Sequence, residues 1–182
     1  MRGASHTPFV RATHWVHTIG FLALVVSGAA ILVAHPRLYW GETGANGSPA
    51  LIELPIPLNL DQSGWGRSLH FLGAWICVLN GTLYAFWGIF KRHFANLKDK
   101  YNPLQRKAYL MLVFVLFPLI VITGLALSPA ITAAVPGIVE VFGGHQSART
   151  VHFFLASLLL LFLVVHVFMA FFERRIGSMI AE

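Results

Sequence analysis

Long apolar stretches alternate with polar segments along the whole chain, and this pattern predicts a membrane protein. Four stretches are long enough to cross the hydrocarbon core of a bilayer, which requires about 20 apolar residues in a helix. The predicted spans cover approximately residues 12–34, 67–90, 107–128 and 148–173. The last is the most clearly delimited, because no charged residue occurs from Thr150 to Phe172. The sequence therefore predicts an all-α membrane protein, a four-helix transmembrane bundle.

The segments between the predicted spans contain the turn signals of loops. Residues 35–66 form an outer loop rich in proline and glycine. Residues 129–146 hold an apolar piece too short to span, which is expected to form a short interfacial helix between spans three and four. Pro118 is expected to kink span three. A length of 182 residues permits one small bundle, so residues 1–182 are expected to form a single domain.

Composition and charge agree with this interpretation and orient the bundle. The chain is 57% hydrophobic and 11% charged, whereas a soluble domain carries about 25% charged residues. Lysine and arginine concentrate in the N-terminus, in residues 91–107 and in the C-terminal tail, and the opposite side carries only Arg37, Arg67 and Arg149. Because cytoplasmic loops are enriched in these residues, both termini are predicted to be cytoplasmic, in a bacterial inner membrane. No nucleic-acid partner is expected.

Two features of the sequence limit the alternatives. The first span has a basic flank like that of a signal peptide, but its roughly 20 apolar residues exceed the usual 7–15 of a cleaved signal. The chain has one cysteine, Cys77. An internal disulfide and a cysteine-held iron–sulfur cluster are therefore excluded, and Cys77 is expected to be a small packing residue.

Four histidines of the predicted spans fall into two pairs by depth. His152 and His166 are fourteen residues apart, so they share one face of span four and lie about 21 Å apart along its axis. His70 begins span two level with His152, and His14 opens span one level with His166. Ionisable residues in membrane helices face partners in the bundle. Two b-type haems, each held by one histidine pair, would supply such partners. His17, one turn after His14, is the rival inner ligand.

Three of these histidines follow an arginine by three residues, which makes the two side chains neighbours on a helix. The pairs are Arg11/His14, Arg67/His70 and Arg149/His152. Each guanidinium could bind a haem propionate; an ordinary interfacial anchor is an equally good interpretation. The repeat favours His14 over His17. Gly28, on the face of His14 at outer depth, could admit the edge of a macrocycle or simply allow close helix packing.

A histidine-lined path for metal ions or protons is the alternative without haem. Metal pathways commonly add cysteine, methionine or carboxylate ligands, and no Asp or Glu lies within the four apolar runs. Four unrelated core histidines would not be expected to share depths and a face. The remaining histidines lie in predicted loops and are expected to be solvated; they are His6, His35, His93 and His145.

Several motifs together resemble the dihaem cytochrome b subunits of respiratory complexes. They are Arg11-Ala-Thr-His14-Trp15, Gly66-Arg67-Ser-Leu-His70, Lys100-Tyr-Asn102-Pro-Leu-Gln105 and the spaced His152/His166. The resemblance covers nearly the whole chain and is to the membrane subunits of formate dehydrogenase, NiFe hydrogenase and thiosulfate-reductase-like enzymes. It implies that His14 pairs with His166 and His70 with His152, which are the pairs that depth suggests.

The resemblance also implies a quinone pocket, for menaquinone or ubiquinone, on the cytoplasmic side before span three. In this sequence the pocket maps to Asn102 and Gln105. Asn102 followed by Pro103 is equally a good helix start, since Asn caps well and Pro suits the first helical position. The two roles are compatible.

These observations predict a dihaem b-type cytochrome that passes electrons between a periplasmic redox partner and membrane quinone. The partner is expected to be an oxidoreductase subunit, with a molybdopterin oxidoreductase as the leading candidate, because the outer loop is longer than a minimal cytochrome needs. The alternative is a stand-alone superoxide:quinone oxidoreductase, because the related small cytochromes of that kind resemble this chain in size and number of spans. No side-chain nucleophile or acid–base pair is visible, so the redox chemistry is assigned to haem and quinone.

Overall fold

Helices account for most of the described chain. The computed structural model describes residues 7–44, 48–56, 64–94 and 103–172. In chain order its elements are α1 (Pro8–Ala34), β1 (Arg37–Leu38), β2 (Ile52–Glu53), α2 (Trp65–Phe90), α3 (Pro103–Ala126), α4 (Pro129–Ala134), α5 (Gly137–Glu140) and α6 (His145–Phe172). Of these described helices, α1, α2, α3 and α6 are long and apolar enough to cross a membrane. The predicted all-α membrane bundle is confirmed.

The long helices begin a few residues before the predicted spans. In α1 the Thr7 hydroxyl accepts a hydrogen bond from the Val10 N–H at 3.4 Å, and Pro8 occupies the first turn. Pro8 is well suited there, because the first N–H groups of a helix have no intrahelical partner. Hydropathy marks the residues that lie in hydrocarbon, whereas a helix continues to its cap. The two boundaries therefore differ.

A wide turn interrupts α3 at Leu112–Leu116, just before Pro118. Pro118 has no N–H to donate to the carbonyl four residues earlier, and its ring crowds that carbonyl. The Phe117 N–H instead donates to the carbonyl of Leu112, five residues back. The irregularity expected at Pro118 thus takes the form of a π turn within the helix.

Small residues bring α1 and α2 together. A Cβ built on Gly73 would lie 3.3 Å from the carbonyl oxygen of Gly20, and one built on Gly20 would lie 2.7 Å from Sγ of Cys77. Close backbone approach is the usual device for helix association in lipid, where apolar contact alone provides little driving force. In the described chain the closest helix pairs are α1 with α2 and α3 with α6. The bundle is therefore built from two helix pairs.

The outer loop contains a short β-hairpin that hydropathy did not predict. β1 and β2 pair antiparallel, with Arg37 opposite Glu53 and Leu38 opposite Ile52. A salt bridge of 2.9 Å joins Arg37 to Glu53. The hydrogen bond and the charge of that carboxylate raise the pKa of Arg37 above its ordinary value. Strands of two residues have no alternation for a sequence pattern to reveal.

The chain after β1 covers the N-terminus of α6. The carbonyl oxygen of Gly41 accepts hydrogen bonds from the N–H groups of Gln146 and Ser147 at 3.0 and 3.2 Å. The Glu42 carboxylate accepts one from the His145 N–H at 3.1 Å. These are donors that the first turn of a helix leaves open, and a negative charge suits a helix N-terminus. The outer loop and α6 therefore hold each other in place.

Two short helices, α4 and α5, connect α3 to α6 where one interfacial helix was predicted. Pro129 begins α4, and Pro136 immediately precedes α5 at Gly137. Pro136 has no N–H to donate to the carbonyl four residues earlier, and its ring crowds that carbonyl. Pro136 therefore divides the apolar piece into two short helices.

Candidate haem-binding sites

The outer pair of histidines joins α2 to α6 beside the outer loop. The ring centroids of His70 and His152 lie 6.2 Å apart, and the ring planes are inclined by 67°. Each histidine lies in the second turn of its helix, and both side chains are partly buried. The structure therefore brings together the two residues that the depth argument paired.

The inner pair joins α1 to the last turns of α6. The ring centroids of His14 and His166 lie 6.4 Å apart, with planes inclined by 48°. His14 is partly buried and His166 is exposed. This pair, too, is the one that sequence depth suggested, and it lies at the opposite end of α6 from the outer pair.

The spacing within both pairs fits an iron atom between two imidazoles. An imidazole–metal bond is about 2.0 Å long and the nitrogen lies roughly 1.1 Å from the ring centre, so two opposed ligands place their ring centres about 6 Å apart. The observed separations are 6.2 and 6.4 Å. A direct imidazole–imidazole hydrogen bond would bring the rings closer. The donor set therefore suits a bis-histidine haem at each depth.

The His17 ring packs against α3. Its ring lies 5.6 Å from the ring of Phe117 in α3, and the histidine ring opposite His166 is that of His14. The structure thus brings His14 opposite His166, in agreement with the Arg-x-x-His repeat, and the role of His14 as a haem ligand stays a prediction.

Two buried hydroxyls that the apolar pattern did not single out lie against the outer histidines. Ser27 Oγ of α1 lies 3.0 Å from Nδ1 of His70, and Thr123 Oγ1 of α3 lies 2.9 Å from Nδ1 of His152. Both Ser27 and Thr123 have 0% exposure. A sequence signal did exist: in spans one and three a hydroxyl residue immediately precedes a glycine, as Ser27-Gly28 and Thr123-Gly124.

Those glycines lie against the edges of the same two imidazoles. A Cβ built on Gly28 would lie 3.6 Å from Cε1 of His70, and one on Gly124 would lie 3.4 Å from Cε1 of His152. A methyl group would therefore touch the ring, and a larger side chain would displace it. Gly28 thus borders an outer histidine, at the depth where the sequence placed it.

Aromatic rings border the inner pair. The Trp15 ring lies 5.6 Å from that of His14 in an edge-to-face arrangement, and the Phe162 ring stacks on His166 at 5.8 Å. Next to His14, Asn80 of α2 donates a hydrogen bond to the carbonyl of Thr13 at 2.8 Å. That bond satisfies a partly buried amide and joins α1 to α2 at the inner level.

The three arginines differ in their surroundings. Arg67 is exposed one turn before His70, and Arg11 is partly buried one turn before His14. Arg149 is engaged by the outer loop: its guanidinium donates to the carbonyls of His35 and Arg37, both at 2.7 Å. The same guanidinium donates to Oε1 of Gln146 at 3.2 Å. A structural anchor explains these contacts of Arg149, and a propionate contact stays a prediction.

A polar cluster lies where α2 and α3 meet, at the inner end of the bundle. The Tyr84 hydroxyl is 2.5 Å from the Tyr109 hydroxyl and 3.3 Å from Nε2 of His93. The expectation that His93 is solvated is therefore wrong, because its ring packs among aromatic side chains. Gln105 lies one helical turn before Tyr109. Asn102, the other predicted quinone residue, lies outside the described residues.

The chain is 32% identical to the putative protein-methionine-sulfoxide reductase subunit YedZ1 of Azospira oryzae. The alignment covers 97% of this chain and 96% of the relative. No solved structure matches the chain.

The family comparison accounts for nearly the entire sequence. The model of prokaryotic cytochrome b561 matches residues 5–181. This match confirms the predictions of a cytochrome b membrane subunit that binds haem b and transfers electrons. With the four apolar helices, it also confirms a multi-pass protein of the bacterial inner membrane. The chain belongs to the prokaryotic cytochrome b561 family.

Proposed function

We propose that the chain is a dihaem cytochrome that carries electrons between a redox enzyme at the outer face and membrane quinone near the inner face. The observation that carries the proposal is the presence of two histidine pairs with ring separations of 6.2 and 6.4 Å. Each separation suits two axial ligands of one iron. His70 and His152 are the proposed outer ligands, and His14 and His166 are the proposed inner ligands.

The geometry of α6 supports electron transfer across the membrane. His152 and His166 are fourteen residues apart on this uninterrupted helix, which separates them by about 21 Å of a hydrocarbon core about 30 Å thick. When bound, the haems supply one-electron transfer. The protein's own side chains bind and orient them and exclude water, and Arg11 and Arg67 are the proposed partners of the propionates.

The orientation follows from charge. We propose that both termini are cytoplasmic, because most lysines and arginines lie at the termini and in residues 91–107. In this orientation the outer loop and the outer histidine pair face the periplasm. The helix ends that carry Tyr84 and Gln105 face the cytoplasm.

The quinone site is proposed at the inner side, at Asn102 and Gln105, with menaquinone or ubiquinone as the ligand. The Tyr84, Tyr109 and His93 cluster supports this position, because it supplies hydroxyl and imidazole groups within hydrogen-bond distance of one another. Quinone reduction consumes protons, and such groups can hold and pass them. Exposure of His166 supports access from the lipid on the same side.

The name of the relative supports the proposal that this chain works with a partner enzyme. Since that relative is named as a reductase subunit, we propose that this chain also serves a periplasmic redox enzyme, with a molybdopterin oxidoreductase as the leading candidate. The outer loop offers a surface for it, since Trp40 and Leu51 are 62% and 56% exposed. Exposed aromatic residues are enriched at protein interfaces.

Haem quantitation of the detergent-purified chain, with a reduced-minus-oxidised spectrum, tests the proposal. We expect two b haems per chain. One haem would mean that a histidine pair is misassigned. No haem in a folded preparation would overturn the cytochrome assignment and favour a histidine-lined carrier.

A second measurement tests the partner. Purified chain that oxidises superoxide with quinone, without any other subunit, would contradict the subunit role and favour the stand-alone oxidoreductase. Co-purification with a periplasmic oxidoreductase from the native membrane is the expected result.

A further inference from the structure

The hydroxyls of Ser27 and Thr123 lie in equivalent places in the two helix pairs. In the first pair, Ser27 of α1 contacts a histidine of α2, and in the second, Thr123 of α3 contacts a histidine of α6. In both cases the next residue is a glycine beside the same imidazole. The same local arrangement therefore occurs twice, once for each outer histidine.

Each hydroxyl also lies within hydrogen-bond distance of carbonyls of its own helix. Ser27 Oγ lies 2.7 Å from the carbonyl of Ala23 and 3.2 Å from that of Leu24. A carbonyl can only accept, and Ala23 provides the shorter of these contacts, so we assign the single hydroxyl proton to the helix backbone. The hydroxyl oxygen then faces His70 with a lone pair.

Thr123 repeats this arrangement. Its Oγ1 lies 2.9 Å from the carbonyl of Leu119 and 3.0 Å from that of Ile120. With its proton donated to one of these carbonyls, the hydroxyl can only accept a hydrogen bond from His152. Neither hydroxyl is exposed, so no solvent molecule competes for its lone pairs.

We propose that Ser27 and Thr123 are positioning residues that hold His70 and His152 as Nδ1–H tautomers. Each imidazole then presents the lone pair of Nε2 to iron, which is the nitrogen that can serve as a ligand. This inference rests on the proposed outer haem site and specifies which ligand atoms and which supporting atoms build it.

The hydrogen bond also sets the redox potential of the outer site. An acceptor at Nδ1–H raises the basicity of Nε2, because it draws the proton away from the ring. A more basic ligand stabilises ferric more than ferrous iron. Both hydroxyls therefore lower the potential of the outer haem, and their removal raises it.

Redox titration of the purified holoprotein tests the inference with Ser27→Ala and Thr123→Val. The outer haem is identified as the absorbance that His70→Ala loses. We expect its midpoint potential to rise in each variant and to rise further in the double variant, while the inner potential stays constant. Ser157→Ala is the matched control, because its hydroxyl also donates to a helix carbonyl, that of Phe153 at 2.8 Å, but lies on the exposed surface of α6.

Ser27→Thr and Thr123→Ser keep the hydroxyl and are expected to restore the wild-type potential. Loss of the outer haem in the hydroxyl-free variants, rescued by the hydroxyl-keeping ones, supports the positioning role equally. An outer potential that does not move in fully loaded variants overturns this inference and leaves the proposed function intact. A wild-type chain without haem overturns both.

Discussion

The outer and inner histidine pairs share one long helix but lie in different surroundings. Buried hydroxyls and glycine edges border the outer pair. Aromatic rings border the inner pair, and its His166 is exposed at the surface of the bundle. The outer site is thus defined by directional hydrogen bonds, whereas the inner site is defined by ring packing and is open to one side.

This difference in surroundings suits the two tasks of the proposed function, which are electron transfer at the outer face and quinone binding at the inner face. In the proposed function, hydrogen bonds of fixed direction would hold each outer ligand in one tautomer and so set the potential of the outer haem. An open inner side allows a hydrophobic molecule to approach from the lipid.

The largest effect is expected from His70→Ala. Without one axial ligand the outer haem should be lost and the inner haem retained, so haem content per chain should fall by half in a pyridine haemochrome assay. His17→Ala is the control and should lose neither, because its ring packs on Phe117. Haem loss in His17→Ala, with full content in His14→Ala, would show that the span-one assignment is wrong.

Gly124→Leu should affect the outer site alone. Already a Cβ at this position lies 3.4 Å from Cε1 of His152, so a larger side chain must push the ring aside, at a cost of about 1–3 kcal/mol. We expect partial loss of the outer haem on purification. Gly137→Leu is the control, because nothing lies within 4 Å of a Cβ there. Equal loss of haem in the Gly124→Leu and Gly137→Leu variants would contradict a localised effect.

Arg149→Gln should loosen the outer loop while the outer haem stays bound. The guanidinium bonds to the carbonyls of His35 and Arg37, and each charged hydrogen bond contributes about 1.5–3 kcal/mol. Hydrogen exchange in residues 35–44 should accelerate roughly tenfold or more. A change in the outer haem potential without faster exchange would instead assign Arg149 to a propionate.

The smallest effect should come from the inner side. Gln105→Ala is expected to weaken a quinone-site inhibitor by about 0.5–1.5 kcal/mol, the net value of one hydrogen bond, with haem content unchanged. Asn102→Ala should act in the same direction. Inhibition that stays at the wild-type level in either variant removes that residue from the proposed pocket, and Ser157→Ala again serves as a control at the surface of the bundle.

The helices and the histidine pairs were predictable because they depend on one-dimensional information. Uncharged runs identify spans, and residue number along a helix converts directly to depth. His14, His70, His152 and His166 could therefore be paired before any packing was known. The predicted depth of each histidine depended only on where its apolar run begins.

What escaped prediction depends on contacts between segments that are distant in sequence. The roles of Ser27 and Thr123 require the imidazole of another helix to meet a particular hydroxyl. The capping of α6 by Gly41 requires a loop more than a hundred residues away in sequence. Hydropathy treats these polar residues as interruptions of a span and does not assign them partners.

The π turn in α3 rotates the two ends of that helix relative to each other. One additional residue in a turn rotates everything beyond it by about 100° relative to a regular helix. Gln105 and Tyr109 lie before the wide turn at Leu112–Leu116, and Thr123 lies after it. Deleting one residue from this turn would leave the span as apolar as before, yet it would swing Thr123 away from His152. The additional residue in this turn therefore allows α3 to place Tyr109 against Tyr84 at the inner end and Thr123 against His152 at the outer end.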